Sequence, residues 1–451
     1  MEYVLTGRTA DAPAGADDQE TTITSDAIKR MSEPPAKDSK AAQWRAATIV
    51  ALAKAAALGL LVTVCWDTAW VSHLVQDIRT WRDFFLRTQA GLVPYVHVTR
   101  EYPVLGGTLY WAMSPFVDAD DLKQTVVVHG VFMLAADVLN SVLFYRLART
   151  VLPSLALAAT LLFALNLTSL VMSPVRYEPW VTTFVLLGLA AHREGRYDRA
   201  TFWWAVGCGL KWYPAFFVAA QEYRVWRDGG RRTHWVRAAL VFAAATAAIN
   251  VPFLIAAWRE GTVSNLLAPY LFHARRPLYW DTLLGVGQIW LGALPWERHA
   301  GLWSLALMLA AVVARPRMRV EAKGVLVCLA AVVFNRIYSA QFNLWFYPLL
   351  IVAALEASAA RRRTLLVLMA LLDVLNVLVF PTTFTPAVAE MGGFFPFAAR
   401  GSGGPWTIAF SLVIGARALV IVALAAALWP LVDRPATKPV RSGVAKYRER
   451  G

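Results

Sequence analysis

Carboxylates and guanidinium groups in short polar segments, set between long apolar runs, are the groups in this chain best suited to chemistry. Arginine matches the geometry of a phosphate with parallel hydrogen bonds and keeps its charge when partly desolvated. A carboxylate can take the proton from an attacking hydroxyl group as a general base. Together they suit the transfer of a group from a lipid phosphate donor, whose tail would lie between apolar walls. The four polar segments are 67–124 with Asp77 and Glu101, Ser173–Glu178, Tyr270–Asp281 with Arg275 and Arg276, and Phe334–Gln341 with Arg336.

Transmembrane helices must position these segments, because the composition is that of a membrane protein. Of the 451 residues, 58% are hydrophobic and 16% are charged, against roughly 45–50% and 25% in soluble domains. Several apolar runs approach the roughly 20 residues that a helix needs to cross a bilayer. We therefore predict an all-α polytopic membrane protein, and we exclude a soluble enzyme, a coiled coil and a disordered chain.

The basic charge balance has its origin in the membrane topology. The chain has 44 Lys and Arg against 30 Asp and Glu, a formal net charge of +14. Such an excess alone would also suit nucleic-acid binding. However, the Arg clusters lie in short loops between apolar runs, where positive charge keeps a loop in the cytoplasm. We predict no nucleic-acid partner, and the three cysteines have neither disulfide-framework nor zinc-site spacing.

The two ends of the chain are predicted to be cytoplasmic tails. Residues 1–45 are polar and mixed in charge, which indicates a disordered tail, and residues 433–451 form a basic one. The membrane domain between them, 46–432, begins with a crossing at about Ala46–Cys65. Further crossings are predicted at about 125–149, 153–172, 179–193, 238–257, 300–314, 324–338, 343–358, 364–380 and 407–430.

Two apolar stretches do not fit a single crossing. Both flanks of 201–222 are Arg-rich, and the stretch is interrupted at Lys211–Pro214, where proline disfavours a helical residue before it. We predict a pair of half-helices there, and another short piece at 282–294. Counting these, we predict about ten to twelve helices, even in number, with both termini inside. The four polar segments then lie on the extracytoplasmic side, with 67–124 as the first loop.

Several of these residues have a structural explanation as well. From the pattern alone, an interfacial amphipathic helix, with solvated charges and rings among the headgroups, explains Asp77–Phe85 as well as a catalytic role does. An isolated histidine such as His273 is more often structural, and Arg275-Arg276 could bind lipid headgroups. Ionisable residues inside apolar runs are costly, and we favour pairing within the bundle for them. These residues are Lys211, Asp137, Asp373 and Arg417.

The first loop resembles that of glycosyltransferase family 87. The matching stretches are Asp77-Ile-Arg-Thr-Trp81, Gly91-Leu-Val-Pro94-Tyr95 and Glu101-Tyr102-Pro103. The family pattern is an Asp with an aromatic residue four positions later, a Gly-x-x-Pro-Tyr turn, and Glu-Tyr-Pro-Pro. Here Trp81 replaces the common Tyr, and Val104 replaces the second Pro.

The resemblance continues in order along the chain, over about 48–355. Arg176-Tyr177-Glu178 is similar to the Arg-Tyr-Asp of the family, and Lys211-Trp212-Tyr213-Pro214 to its Lys-x-Tyr-Pro element. His273-Ala-Arg275-Arg276-Pro277, followed by Asp281, resembles a His-x-x-Arg-Pro segment with a later acid. Arg336-Ile-Tyr-Ser339-Ala340-Gln341 and the following Trp345 and Pro348 resemble Lys-Val-Leu-Ser-Pro-Gln-Tyr-x-x-Trp-x-x-Pro. Each motif alone is weak, but five in the right order are specific together.

This resemblance implies a GT-C fold with a catalytic first extracytoplasmic loop, in an inverting glycosyltransferase of the bacterial plasma membrane. By analogy, Asp77 is the catalytic base. The residues expected to hold the donor phosphate or its lipid are Arg275, Arg276, Arg336 and Lys211. Those expected to position substrate are Trp81, Tyr95, Glu101, Tyr102, Arg176, Glu178, His273, Ser339 and Gln341.

The implied substrates are a polyprenyl-phosphate sugar, with mannose favoured, and a glycolipid or glycan acceptor of the cell envelope, handled among membrane lipids. A related alternative is transfer of arabinofuranose. A rival of another class is a lipid flippase or transporter, which intramembrane charges would suit but which the lack of an evident internal repeat disfavours. A scaffold with a degenerate site is a third option. No cofactor is implied, and a divalent metal stays open, because Asp77, Asp83 and Glu101 could ligate one although no spacing demands it.

Overall fold

The computed structural model describes residues 37–229, 232–276, 278–292, 299–392 and 404–431. These residues form helices joined by turns and loops, with no β-strand among them. The contacts below lie within Ala41–Gly451, which is one compact unit. The predicted basic tail 433–451 and the tail residues 1–36 lie outside the described residues.

In chain order, the helices are α1 (Lys37–Thr63), α2 (Ala69–Leu74), α3 (Gln76–Thr80), α4 (Arg82–Gln89), α5 (Val104–Met113), α6 (Leu122–Val151), α7 (Ala156–Leu165), α8 (Leu167–Met172), α9 (Glu178–Arg193), α10 (Tyr197–Cys208), α11 (Ala215–Arg227), α12 (Arg232–Arg259), α13 (Val263–Arg275), α14 (Leu283–Leu291), α15 (Ala300–Val313), α16 (Val320–Val333), α17 (Asn343–Leu355), α18 (Ala359–Val377), α19 (Phe384–Glu390) and α20 (Pro405–Leu428). Short 3-10 turns lie at Ser114–Phe116, Pro153–Leu155, Ser173–Val175 and Ala340–Phe342, and a π-helical turn, Leu378–Thr383, joins α18 to α19.

Five described segments are long and apolar enough to cross a membrane: Lys40–Thr63, Leu122–Val151, Arg232–Arg259, Ala359–Glu390 and Pro405–Leu428. A sixth is possible if α7 and α8, which bend by 47° at their junction, form one span. Shorter apolar helices lie at Val263–Phe272, Ala300–Val313 and Ala340–Leu355. An all-α protein with several candidate spans is thus confirmed, while the GT-C fold and the count of ten to twelve stay predictions.

The first helix starts earlier than the hydropathy pattern indicated. It begins at Lys37, so residues 37–45, which we assigned to the polar tail, are helical. Gln43, Ala46 and Ala47 are buried, and Gln43 Oε1 accepts a hydrogen bond of 3.4 Å from Arg146 Nε at the far end of α6. Packing against α6 therefore extends the helix beyond its apolar run, which local polarity could not reveal.

The predicted helix breaks are present. α10 ends at Cys208 and α11 begins at Ala215, so the Lys211–Pro214 stretch interrupts the helix. α14 is a separate short helix of nine residues. The helix at the predicted crossing 324–338 ends earlier than expected. α16 ends at Val333, and a loop follows it. That loop carries one of the polar segments.

A buried ion pair fastens α1 to α6. Lys54 Nζ lies 2.6 Å from Asp137 Oδ2 and donates hydrogen bonds to Ser169 Oγ at 2.7 Å and Ser173 Oγ at 2.9 Å. Lys54 is 3% and Asp137 6% exposed. The ammonium group therefore has three oxygen partners, and pairing within the bundle, as predicted for Asp137, is present.

Asp373 and Arg417 are also engaged in structural contacts. Asp373 accepts hydrogen bonds from the backbone N–H groups of Leu167 and Thr168, at 2.7 and 3.0 Å, which satisfies the first turn of α8. Arg417, 1% exposed, donates to Asn376 Oδ1 at 3.3 Å and to the carbonyl oxygen of Asp281. These bonds connect α18 and α20 to the rest of the bundle.

We predict that replacing Lys54 by Met lowers the free energy of unfolding by about 3–5 kcal/mol, because Asp137 then stays buried without its cation. Thermal unfolding of the purified protein in detergent measures this as a lower melting temperature. The double variant Lys54→Met/Asp137→Leu should regain most of the loss, since an apolar pair needs no compensation. Arg87→Met, which breaks an exposed pair with Asp83, is the control. Equal melting temperatures for Lys54→Met and the control would show that the buried pair does not stabilise the fold.

Candidate functional site

Asp77 and Arg176 form an ion pair between the first loop and the start of α9. Arg176 Nε lies 3.1 Å from Asp77 Oδ2, although the angle is not that of a hydrogen bond. The Arg176 side chain is 8% exposed, whereas that of Asp77 is 37% exposed. Arg176 Nη1 also donates to the carbonyl oxygens of Leu74 and Val175, each at 2.9 Å. Asp77 is therefore held by a buried cation and still open to an incoming molecule.

The aromatic residues that follow Asp77 pack inside the protein. Trp81 is 2% exposed, and Phe84 and Phe85 are 0% and 1% exposed. The ring of Trp81 stacks on those of Tyr110 and Tyr102, with centroids 3.6 and 5.7 Å apart. The expectation that these rings lie among the headgroups is therefore wrong, because other side chains of the protein enclose them.

Tyr95 braces the loop rather than lining the site. The hydroxyl group lies 2.8 and 2.9 Å from the carbonyl oxygens of Tyr102 and Pro103 and accepts a bond of 3.0 Å from Gly107 N–H. Tyr95 is 0% exposed. Its φ of 62° and the φ of 85° at Gly91 mark the turn between them, where glycine carries the left-handed conformation at little cost.

Glu101, Tyr102 and Arg276 form the second part of the site. Burial raises the pKa of Glu101, the positive charge of Arg276 opposes that rise, and the carboxylate of Asp77 adds to it. Burial likewise raises the pKa of Tyr102, and the charges of Asp77 and Glu101 raise it further. The charges that act on Glu101 thus come from Asp77, in the same loop, and from Arg276, in a distant segment of the chain.

Arg276 belongs to a segment that is fastened to the loop after α16. Arg336 Nη1 donates to the carbonyl oxygen of Arg276 at 2.7 Å, and Tyr279 N–H donates to that of Arg336 at 2.8 Å. The guanidinium of Arg276 lies 5.3 and 4.9 Å from the ring centroids of Phe272 and Tyr279. Arg336 therefore fixes the backbone that presents Arg276.

Lys211 and Glu178 pair at the break between α10 and α11. Glu178 is 1% exposed, and one of its oxygens, Oε2, has no hydrogen-bond partner among the described residues. The Lys211 ammonium lies 5.0 Å from the ring centroid of Tyr177 and 5.3 Å from those of Phe342 and Trp345. Three aromatic faces and one carboxylate thus surround this cation.

Tyr110 lies within the electrostatic influence of the acids and the arginine of the site, and the sequence analysis did not identify it. Burial raises the pKa of its hydroxyl, and the charges of Asp77, Arg176, Glu178 and Glu101 all act on it. Its hydroxyl lies 3.2 Å from His129 Nε2, and His129 Nδ1 lies 2.9 Å from the carbonyl oxygen of Pro174. Both residues lie in apolar helical stretches. There, only the polar character of their side chains could have indicated a role in the site.

The remaining predicted residues are distributed as follows. Gln341 is 7% exposed within the turn Ala340–Phe342, and Ser339 precedes it, with its carbonyl accepting from Phe342 N–H. Among the described residues, neither side chain has a hydrogen bond or an ion pair with Asp77. The side chains of His273 and Arg275 lie outside the described residues, although their backbone belongs to α13.

A metal-binding arrangement is not found in the described part of the chain. No three His, Cys, Asp or Glu residues there lie close enough to hold an ion. Of the three acids considered from the sequence, Asp83 pairs instead with Arg87 on the exposed face of α4, at 3.0 Å. Asp77 and Glu101 are near each other but have arginine partners.

Comparison of the whole chain with models of known protein families gives no match, and comparison with curated proteins gives no significant one. The resemblance to glycosyltransferase family 87 therefore stays a prediction that rests on the order of the sequence motifs.

The raised pKa of Glu101 predicts a pH dependence of stability. Because the folded protein keeps this proton more tightly than the unfolded chain does, ionisation of Glu101 costs stability as the pH rises above its ordinary value of 4.5. Glu101→Gln removes that cost. The melting temperature of the variant minus that of wild type should therefore increase as the pH is raised from 4.5 to neutrality. Glu194→Gln, at an exposed carboxylate paired with Arg196, is the control. A constant difference between Glu101→Gln and wild type across that range would contradict the raised pKa.

Proposed function

We propose that this protein is an integral membrane glycosyltransferase that moves a sugar from a polyprenyl-phosphate donor to a cell-envelope glycolipid or glycan. The observation that carries the proposal is the convergence of Asp77, Glu101, Arg176 and Arg276, from distant parts of the sequence. An accessible carboxylate beside a buried cation, with a second arginine coupled to the neighbouring Glu101, suits general-base catalysis on a phosphate donor. The order of the family 87 motifs favours mannose as the sugar and the outer face of a bacterial plasma membrane as the location.

In the proposed reaction, the acceptor hydroxyl gives its proton to the carboxylate of Asp77 while its oxygen attacks the anomeric carbon. The bond between that carbon and the phosphate oxygen breaks, and the electron pair leaves with the polyprenyl phosphate. Attack opposite to the leaving group inverts the anomeric centre, so a β-linked donor gives an α-linked product. Arg276 stabilises the negative charge on the departing phosphate. Arg336 assists indirectly, because it holds the backbone of Arg276.

Glu101 has a different task from Asp77 in this scheme. Its pKa is raised by burial, with Arg276 opposing the rise and Asp77 reinforcing it. Glu101 would orient a sugar hydroxyl between Asp77 and Arg276, and Asp77 would accept the acceptor proton.

The transporter alternative loses support from the pairing of the intramembrane charges. Asp137 is bound to Lys54, and Asp373 to the first turn of α8. Lys211 is paired with Glu178. In a pathway for ions or lipids, the charged groups would need to exchange partners. The contacts of Asp137, Asp373 and Lys211 instead join helices to one another. Arabinofuranose transfer uses the same chemistry, so the donors supplied in the assay must separate it from mannose transfer.

We predict that Asp77→Asn lowers transfer from labelled polyprenyl-phosphate mannose by about 10²–10⁴-fold, the range expected for loss of a general base. The amide fills the same space beside Arg176 but cannot accept the proton, and it leaves that buried cation without its anion. The melting temperature and the donor affinity are therefore measured beside transfer, and only a loss of transfer that exceeds any change in these two supports the role of Asp77 as base. Product formation by purified full-length protein in lipid nanodiscs measures the effect, with polyprenyl-phosphate arabinofuranose as the competing donor.

Asp83→Asn is the matched control, since it makes the same substitution at an exposed acid of the same loop. It should transfer at the wild-type rate. Near-normal turnover by Asp77→Asn would remove Asp77 from the mechanism. Absence of transfer from any polyprenyl-phosphate sugar by the folded wild-type protein, across a panel of envelope glycolipid acceptors, would contradict the proposed function itself.

A further inference from the structure

A cavity of about 410 Å³ lies on the other side of the Asp77 helix. Trp66, Val71, Val75, Arg79 and Lys123 are among its lining residues. A neighbouring cavity of about 250 Å³ shares Arg79, Asp120 and Leu122 with it, and we treat the two as one groove. Neither of these cavities is lined by Asp77, Glu101 or Arg276.

The groove is separated from the candidate site by α3 itself. Asp77 pairs with Arg176 on one side of this short helix, while Arg79 lines the groove. Ile78, between them, is 1% exposed. Residues two positions apart point to different sides of a helix. The groove is therefore a separate feature, and it does not depend on the function proposed above.

The groove lies at the end of two candidate membrane spans. α1 ends at Thr63, just before Trp66, and α6 begins at Leu122, just before Lys123. Both helices are long and apolar enough to cross a bilayer. The junction of such helices with their loops is where headgroups are found, and tryptophan is enriched there. The position alone therefore favours a lipid headgroup over a molecule that arrives from the aqueous phase.

The charges of the groove favour an anion. Asp120 pairs with Arg82, and Asp121 caps α6 by accepting from Gln124 N–H at 3.0 Å. Both acids are thus engaged. Among the described residues, Arg79 and Lys123 pair with no carboxylate, and Lys123 lies 5.9 Å from the ring centroid of Trp66.

We propose that this groove binds the phosphate headgroup of an anionic phospholipid. Arg79 and Lys123 bind the phosphate, and Trp66 and Leu122, which are half-buried in the groove lining, pack against the glycerol and the first methylene groups. A bound lipid would then connect the α2–α3 segment to the start of α6.

The proposal is tested by native mass spectrometry of the full-length protein in detergent, titrated with phosphatidylglycerol and with phosphatidylcholine. Wild type should bind phosphatidylglycerol more tightly, and Arg79→Gln/Lys123→Gln should lower that affinity about thirtyfold, the size expected for two cations near a headgroup. Arg87→Gln/Arg196→Gln removes the same charge from exposed pairs away from the groove and should bind as wild type does. Melting temperatures check that both variants fold, which the exposure of Arg79 and Lys123 favours.

A photoreactive phosphatidylglycerol locates the bound lipid. It should label peptides that contain Trp66–Arg79 or Asp120–Lys123 in wild type and should lose this labelling in Arg79→Gln/Lys123→Gln. Equal affinities for the two lipids, or an unchanged affinity in that variant, would overturn the proposal. If glycerol phosphate without acyl chains binds as tightly as phosphatidylglycerol, the ligand is a soluble phosphate compound and the assignment to a lipid is wrong.

Discussion

The ion pair between Asp77 and Arg176 is the interaction on which the arrangement of the candidate site depends. Arg176 is almost fully enclosed and also binds the carbonyl oxygen of Leu74, at the end of the helix before Asp77. One guanidinium group thus fixes both the side chain of Asp77 and the backbone that leads to it. A buried arginine is costly unless its charge is compensated, so the loop and the start of α9 are held to one position.

The rest of the first loop is folded into the protein by aromatic packing. Trp81 lies between Tyr102 and Tyr110, and Tyr102 contacts the edge of Tyr177, with ring centroids 5.0 Å apart. Tyr177 in turn lies beneath Lys211. This series of rings connects the Asp77 side of the site to the break between α10 and α11. Such packing positions charged groups on irregular backbone more rigidly than a solvated loop could.

The sequence predicted the elements whose signal is local. Hydropathy predicted the long apolar helices, and proline predicted the interruption after α10. Asp77, Glu101, Arg176 and Arg276 were named because charged residues in short polar segments between apolar runs need an explanation. In the structure Asp77 pairs with Arg176, and the charges of Asp77 and Arg276 both act on Glu101.

Contacts between distant segments were beyond the reach of sequence patterns. The burial of Trp81 was missed, because an amphipathic pattern does not tell whether the apolar face meets lipid or protein. Tyr95 was expected to position substrate, but its hydroxyl group binds the backbone of its own loop. Tyr110 and His129 lie in helical stretches that look purely structural. The helix at 37–45 was missed because hydropathy marks only the apolar part of a helix, although the Ala, Lys, Gln and Arg residues there are good helix formers.

The central claim is that one pocket, built by Asp77, Glu101, Arg176 and Arg276, holds the sugar and phosphate of a lipid-linked donor. Cryo-electron microscopy of the full-length protein in nanodiscs, with a non-transferable polyprenyl phosphonate of mannose, tests it most directly. We expect the phosphonate beside Arg276 and the sugar between it and Asp77. Density for the analogue at the other end of α9, where Arg193 pairs with Glu321 at 2.7 Å, would contradict the claim.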